Sequence, residues 1–158
     1  MVTHHQKNFP RILDAYNLLG VLYADAGDLK SARTEFRKLV KLAEGHPALA
    51  DALWRLGWIY FDMSQYSKAE KTWEQLWDLG ENTDYAAAAL YWRGRCFEKM
   101  NKPARAQELF DKTRTLFPNS YYSLWVALKL PEDTLATLDW GASPIMTVSY
   151  THLRAHET

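Results

Sequence analysis

Residues 53–79 read LWRLGWIYFDMSQYSKAEKTWEQLWDL, and this stretch decides the fold. Leu56-Gly57 is followed by Tyr60, and nine positions on comes Ala69 with Trp73 four residues after it. The same order stands 37 residues upstream as Leu19, Gly20, Tyr23, Ala32 and Phe36. It stands again 37 residues downstream as Gly94, Phe97, Ala106 and Phe110, with Arg93 in the leucine slot. Leu42, Leu79 and Leu116 add one more column in that register. A fixed period in this range marks stacked structural repeats, each too small to bury a core alone.

Each unit reads as a pair of antiparallel helices. The Gly and Ala columns let two backbones approach closely, and the aromatic columns fill the space beside them. The turns also repeat: Gly27-Asp28-Leu29, Ser64-Gln65-Tyr66 and Asn101-Lys102-Pro103 share one slot. Gly and Asn suit a left-handed helix terminus, and Pro103 suits the first turn of the next helix. Helix pairs are expected at about 10–25 with 29–44, 48–62 with 66–79, and 84–99 with 103–116. The pattern resembles the tetratricopeptide repeat, whose common form is about 34 residues long. The extra positions fall between units, at Glu44 to Pro47 and Gly80 to Thr83.

A seventh helix is expected from Tyr121 to Leu130, capped by Pro118-Asn119-Ser120 and stopped by Pro131. Pro131 occupies the 37-residue glycine slot, so the fourth unit is either divergent or a capping helix. The fold class is therefore all-α, a tetratricopeptide-type α-solenoid of about three helix pairs plus that partial fourth. The expected organisation is a superhelix over 10–130, an irregular linker over 131–146 and a non-native tail over 147–158. Thr147 to Thr158 fall out of register and resemble translated adapter or vector DNA, which also discounts His152 and His156 as a metal pair. Residues 2–9 enter the first unit with no polar capping helix before it, as if the array began upstream.

Composition narrows the function. The chain has 158 residues and formal net charge zero, with 19 Lys plus Arg against 19 Asp plus Glu. That balance suggests neither a nucleic acid nor an anionic membrane as partner. No apolar run is long enough to span a bilayer. Cys96 has no partner for an intramolecular disulfide and reads as a small core residue. His4, His5 and His46 have no ligand spacing, and phosphate loops, nucleophile elbows and zinc motifs are missing from the sequence. No metal or cofactor is expected, and no catalytic residue.

The run Tyr91-Trp92-Arg93-Gly94-Arg95, then Ala106 and Phe110, Ser120-Tyr121-Tyr122 and Ala127 to Leu130, resembles the superhelical region of soluble lytic murein transglycosylases. In that family the repeats precede a lysozyme-like domain that cleaves peptidoglycan. The resemblance implies a periplasmic or cell-envelope protein and a partner that is a protein, a peptide or, through the parent, a glycan strand. The family's Glu-Ser pair and Gly-Leu-Met-Gln segment do not occur here. Glu35, Glu70, Glu74, Glu98 and Glu108 read as solvated helix faces rather than a cleft acid. Periplasmic repeat proteins of the Tol–Pal machinery carry a similar helix to Ala89, Tyr91, Trp92 and Gly94. The alternative is thus a protein–protein scaffold, of the envelope or cytoplasmic.

In such stacks the first helix of each pair lines the concave surface. The slots one after the glycine and three before it are Asn17 and Val21, Trp54 and Trp58, and Tyr91 and Arg95, with Phe61 extending the strip. Aromatic groups beside an arginine suit an extended peptide or sugar rings, and Asp14, Asp51 and Asp62 give an acidic rim. The same aromatic stripe equally fits packing between units.

Overall fold

The computed structural model describes residues 4–128. Its elements are α1 (His4–Asp25), α2 (Leu29–Leu42), α3 (Ala48–Asp62), α4 (Tyr66–Asp78), α5 (Ala86–Lys99), α6 (Pro103–Leu116) and α7 (Tyr121–Leu128). The helix pairs follow the repeat, and no strand occurs among the described residues. Several boundaries differ from the sequence reading, α2 ending at Leu42 rather than 44 and α4 at Asp78 rather than 79. Helix α1 continues through Pro10 back to His4, although a proline at its seventh position removes one intrahelical hydrogen bond. Helix α5 starts at Ala86, with Gly80, at φ +123°, in the connection before it. Pro131, the 131–146 linker and the 147–158 tail lie outside the described residues.

The three intra-pair turns are one structure used three times. Gly27, Ser64 and Asn101 take left-handed φ values of 78°, 56° and 56°. The next backbone N–H then reaches back to the aromatic column: Asp28 N donates to Tyr23 O, Gln65 N to Tyr60 O and Lys102 N to Phe97 O, each at 2.8 Å. This is the six-to-one closure of a helix C-terminus, and it reverses the chain at the same point in every unit. Asp28 adds a side-chain cap to Ser31 N at 3.1 Å, which holds its carboxyl below the usual carboxylate range. Pro103 fills the first turn of α6.

Each glycine column residue faces its own unit's aromatic. A Cβ at Gly20 would lie 2.6 Å from Phe36, one at Gly94 2.5 Å from Phe110, and one at Gly57 would fall inside the Trp73 indole. Glycine is needed there for space, because the second helix lays a ring directly on the first helix's backbone. Ala32, Ala69 and Ala106 are fully buried beside these contacts. Two cores result. One joins α1, α2 and α3 around Phe36, Leu39 and Leu56. The other joins α3, α4, α5 and α7 around Trp54, Trp73, Trp92 and Trp125.

One expectation is corrected in the second core. Glu70 does not sit on a solvated face; it is buried, and Arg93 holds it from the adjoining helix. Arg93 Nε donates to Glu70 Oε1 at 3.0 Å, while its Nη2 approaches Glu70 at 2.9 Å and Glu74 at 2.6 Å. The residue that breaks the leucine column thus ties α4 to α5. Cys96 is buried next to this group, and burial pushes its thiol up, with Glu70's charge adding to the effect.

Candidate functional site

The first helices form the inner layer of the stack: α1 touches α3, and α5 touches α7, beyond each helix's contacts with its own pair. The candidate residues divide within that layer. Asn17, Val21, Phe61 and Arg95 are half-buried. Trp54, Trp58 and Tyr91 are buried, at 0 %, 3 % and 3 % exposure. Trp54 lies 5.4 Å from Tyr85 between ring centroids, and Trp58 lies 4.4 Å edge-on to Trp92. Tyr91 sits 5.4 Å from both Tyr122 and Trp125. These rings bridge α3 to α5 and α5 to α7, so they hold successive inner helices together. Edge-to-face and offset geometries of this kind add to the burial of apolar area.

A half-buried polar group sits beside Trp54 in this layer. Arg55 Nε pairs with Asp51 at 2.7 Å, and Tyr85 Oη donates to the same carboxylate at 3.0 Å. Burial and the Asp51 charge both raise the Tyr85 phenol, so it remains a donor. Asp51, foreseen as part of an acidic rim, is therefore neutralised by its own neighbours.

A cleft of 450 Å³ opens where α5, α6 and α7 meet. Tyr91 and Phe110 contribute its aromatic lining, and Arg95, Glu98, Gln107, Arg114, Trp125 and Val126 complete the wall. Arg95 Nε is braced on Glu98 at 3.1 Å. Trp125 is buried, and its indole N–H has no acceptor. Arg114 is exposed at the rim. The cleft therefore offers two guanidinium groups and an amide, with the Glu98 carboxylate among them, beside apolar surface. Tyr91 and Arg95 were among the residues expected on the concave face; Gln107, Arg114 and Trp125 were not. They come from the second helix of unit three and from α7, where the glycine register no longer marks which face points inward. Among the described residues, no group of three His, Cys, Asp or Glu side chains is placed to hold a metal ion. None of the helices described is long and apolar enough to cross a membrane.

A tetratricopeptide-repeat family model matches residues 11–76, and another matches residues 88–120. This chain carries tetratricopeptide repeats. Its fold is a tetratricopeptide-type α-solenoid, and such repeats bind proteins or peptides. Among solved structures it is similar to the N-terminal domain of stress-induced protein-1 (STI-1) from C. elegans. That match has a TM-score of 0.62 and 20 % identity, over 73 % of this chain and 94 % of that one. At this identity the likeness shows the fold alone. No curated protein sequence matches the chain.

Proposed function

We propose that this tetratricopeptide-repeat chain is a non-catalytic scaffold that binds an extended peptide segment of another protein along its inner layer, ending in the α5–α6–α7 cleft. The cleft carries the reading. Arg95, Arg114 and Gln107 are donors gathered beside the apolar surface of Tyr91, Phe110 and Val126, which suits a segment bearing an acidic group next to an apolar side chain. Half-buried Asn17, Val21 and Phe61 extend the track toward α1, while Trp54, Trp58 and Tyr91 support it from beneath.

The test is fluorescence polarisation with a pool of labelled acidic–apolar peptides against the intact chain and Arg95→Ala/Arg114→Ala. Loss of at least tenfold in affinity with an unchanged circular-dichroism melt supports the cleft. Binding that survives the double substitution, or a pool that never binds, removes it.

A second reading rests on the run from Tyr91 to Arg95 and on Ser120-Tyr121-Tyr122, which resemble the superhelical region of lytic murein transglycosylases. Under it, the scaffold belongs to an exported parent acting on peptidoglycan in the periplasm, and its partner is the parent's lysozyme-like domain or a glycan strand. Tol–Pal-associated repeat proteins are the envelope alternative, and a cytoplasmic scaffold the remaining one. Calorimetry with purified muropeptides addresses the glycan, and the genomic reading frame after about residue 146 addresses the parent. A lysozyme-like domain encoded there supports this reading; a frame holding only further repeats ends it.

A further inference from the structure

The seam between the first two units carries uncompensated positive charge on the outer layer of the stack. Lys30, Arg33, Arg37 and Lys41 of α2 are spaced by three, four and four residues, which sets them in one line along the helix. Lys30, Arg37 and Lys41 are exposed, and Arg33 is half-buried. Val40 stands on the same flank, three residues after Arg37 and seven after Arg33, and packs against the core that holds Ala69 and Trp73 of α4. The line therefore borders the seam between α2 and α4. Tyr60 packs against both cores at this seam, and Lys68 of α4 lies over its ring, 5.7 Å from the centroid. Among the described residues, no ion pair reaches any of the four α2 cations. Arg33 Nε is enclosed and has no acceptor. An enclosed donor without an acceptor costs stability, so the site favours an incoming anion.

The next seam shows what such a line accepts. The same slots of α4 hold Ser67, Glu70, Glu74 and Asp78, and there Arg93 of α5 takes Glu70 at 2.9 Å and Glu74 at 2.6 Å. In the first seam the slot of Arg93 holds Leu56, and α3 supplies no opposite charge there. We propose that the α2 line is a docking surface for an acidic segment of another protein, separate from the cleft between α5, α6 and α7. From Lys30 to Lys41 it runs about 16 Å at the rise of a helix, room for a segment with a carboxylate every three or four residues. Arg33 and Arg37 then each receive a carboxylate, the pairing that Arg93 makes one unit later. The matching line of a second copy, Glu70 and Glu74, is already held by Arg93. A nucleic acid fits worse, because the line is one residue wide. Asp28, Glu35 and Glu44 flank it without pairing to it, Asp28 capping Ser31 and Glu35 holding Lys38, and their charge opposes a phosphate backbone.

The test is fluorescence anisotropy at low salt with a labelled alanine-based helical peptide carrying four glutamates at that spacing. The intact chain should bind it, and Arg33→Gln/Arg37→Gln should weaken binding about tenfold or more with an unchanged circular-dichroism melt. Arg37→Gln/Lys41→Gln, at two exposed positions, gives the same reading if the first pair disturbs the fold. Arg95→Ala/Arg114→Ala in the cleft and Lys71→Gln/Lys99→Gln at exposed sites elsewhere should leave binding as it was. An intact chain that does not bind the peptide overturns the proposal. A loss as large from Lys71→Gln/Lys99→Gln reduces it to diffuse charge attraction, and a loss through the cleft pair moves the peptide to the cleft; either result overturns it. An oligothymidylate of equal charge that binds more tightly through Arg33 and Arg37 overturns it in favour of a nucleic acid. Self-association abolished by Arg33→Gln/Arg37→Gln assigns the line to a second copy and overturns it as well.

Discussion

The contact between α2 and α3 and the contact between α4 and α5 occupy the same place in successive units, yet one is apolar and the other ionic. Leu56 packs among Phe36, Leu39 and Ala43 in the first. Arg93, in the same column, reaches Glu70 and Glu74 in the second. The second helices change with it: Arg33 and Arg37 of α2 stand at the positions that α4 gives to Glu70 and Glu74. Each first helix thus fits only its own predecessor. Arg93 set against α2 would meet two arginines, and Leu56 set against α4 would leave Glu70 without its partner. In a chain whose units are otherwise alike, that difference opposes packing one unit out of step.

The largest effect should come from moving the charge to the wrong unit. Leu56→Arg places an uncompensated guanidinium beside Arg33 and Arg37, in a site where leucine is 5 % exposed. The expected loss is about 5 kcal/mol, the upper end for an unpaired buried charge. Adding Arg33→Glu and Arg37→Glu should recover much of it. Urea unfolding of the single and triple variants measures both; a triple variant no better than the single would show that the pairing does not transfer between units.

Next comes removal of the native charge. Arg93→Ala strands Glu70 in the core and should cost about 3–4 kcal/mol. Arg93→Leu/Glu70→Leu rebuilds the apolar form of the contact and should return stability to within about 1 kcal/mol of the parent chain, or above it. A double variant as unstable as Arg93→Ala would mean that the ion pair stabilises the fold in its own right rather than choosing its register.

The same substitution in neighbouring units sharpens the contrast further. Gly57→Ala drives a methyl into Trp73, which is fully buried and held by the rings of Trp54, Trp58, Phe61 and Trp92. Gly94→Ala meets Phe110, which is half-buried and can turn aside. Overpacking costs about 1–3 kcal/mol, and Gly57→Ala should lie at the top of that range with Gly94→Ala at the bottom. Thermal melts of the two variants decide the order, and equal losses would show that ring mobility does not matter.

The repeat was fully legible in the sequence because small and aromatic columns are set by backbone contact, and contact geometry repeats when the helix pair repeats. Gly27, Ser64 and Asn101 show the same, since one turn closes all three pairs. The inner-face reading was less legible. The slot one residue after the glycine was expected to face inward in every unit, but whether its side chain meets solvent depends on the neighbour. Val21 has room there, while Trp58 is large enough to reach Trp92 of the next unit and bury itself. Glu70 was hidden for a related reason: its burial depends on Arg93, 23 residues away on another helix, which helical spacing alone cannot pair.

The smallest effect tests whether burial or distance sets the strength of the ionic contact. Glu74 makes the shorter approach to Arg93, at 2.6 Å against 2.9 Å for Glu70, but its side chain is 49 % exposed where that of Glu70 is 10 % exposed. Water and salt screen the first charge, so Glu74→Gln should cost no more than about 1 kcal/mol. Glu70→Gln removes a charge that accepts from both Arg93 Nε and Nη2 out of solvent, and should cost about 1–3 kcal/mol. Raising the salt concentration should shrink the Glu74→Gln loss and leave the Glu70→Gln loss nearly unchanged. Equal losses, or equal sensitivity to salt, would place the ionic contact at the surface of the stack and dissolve its contrast with the apolar contact around Leu56.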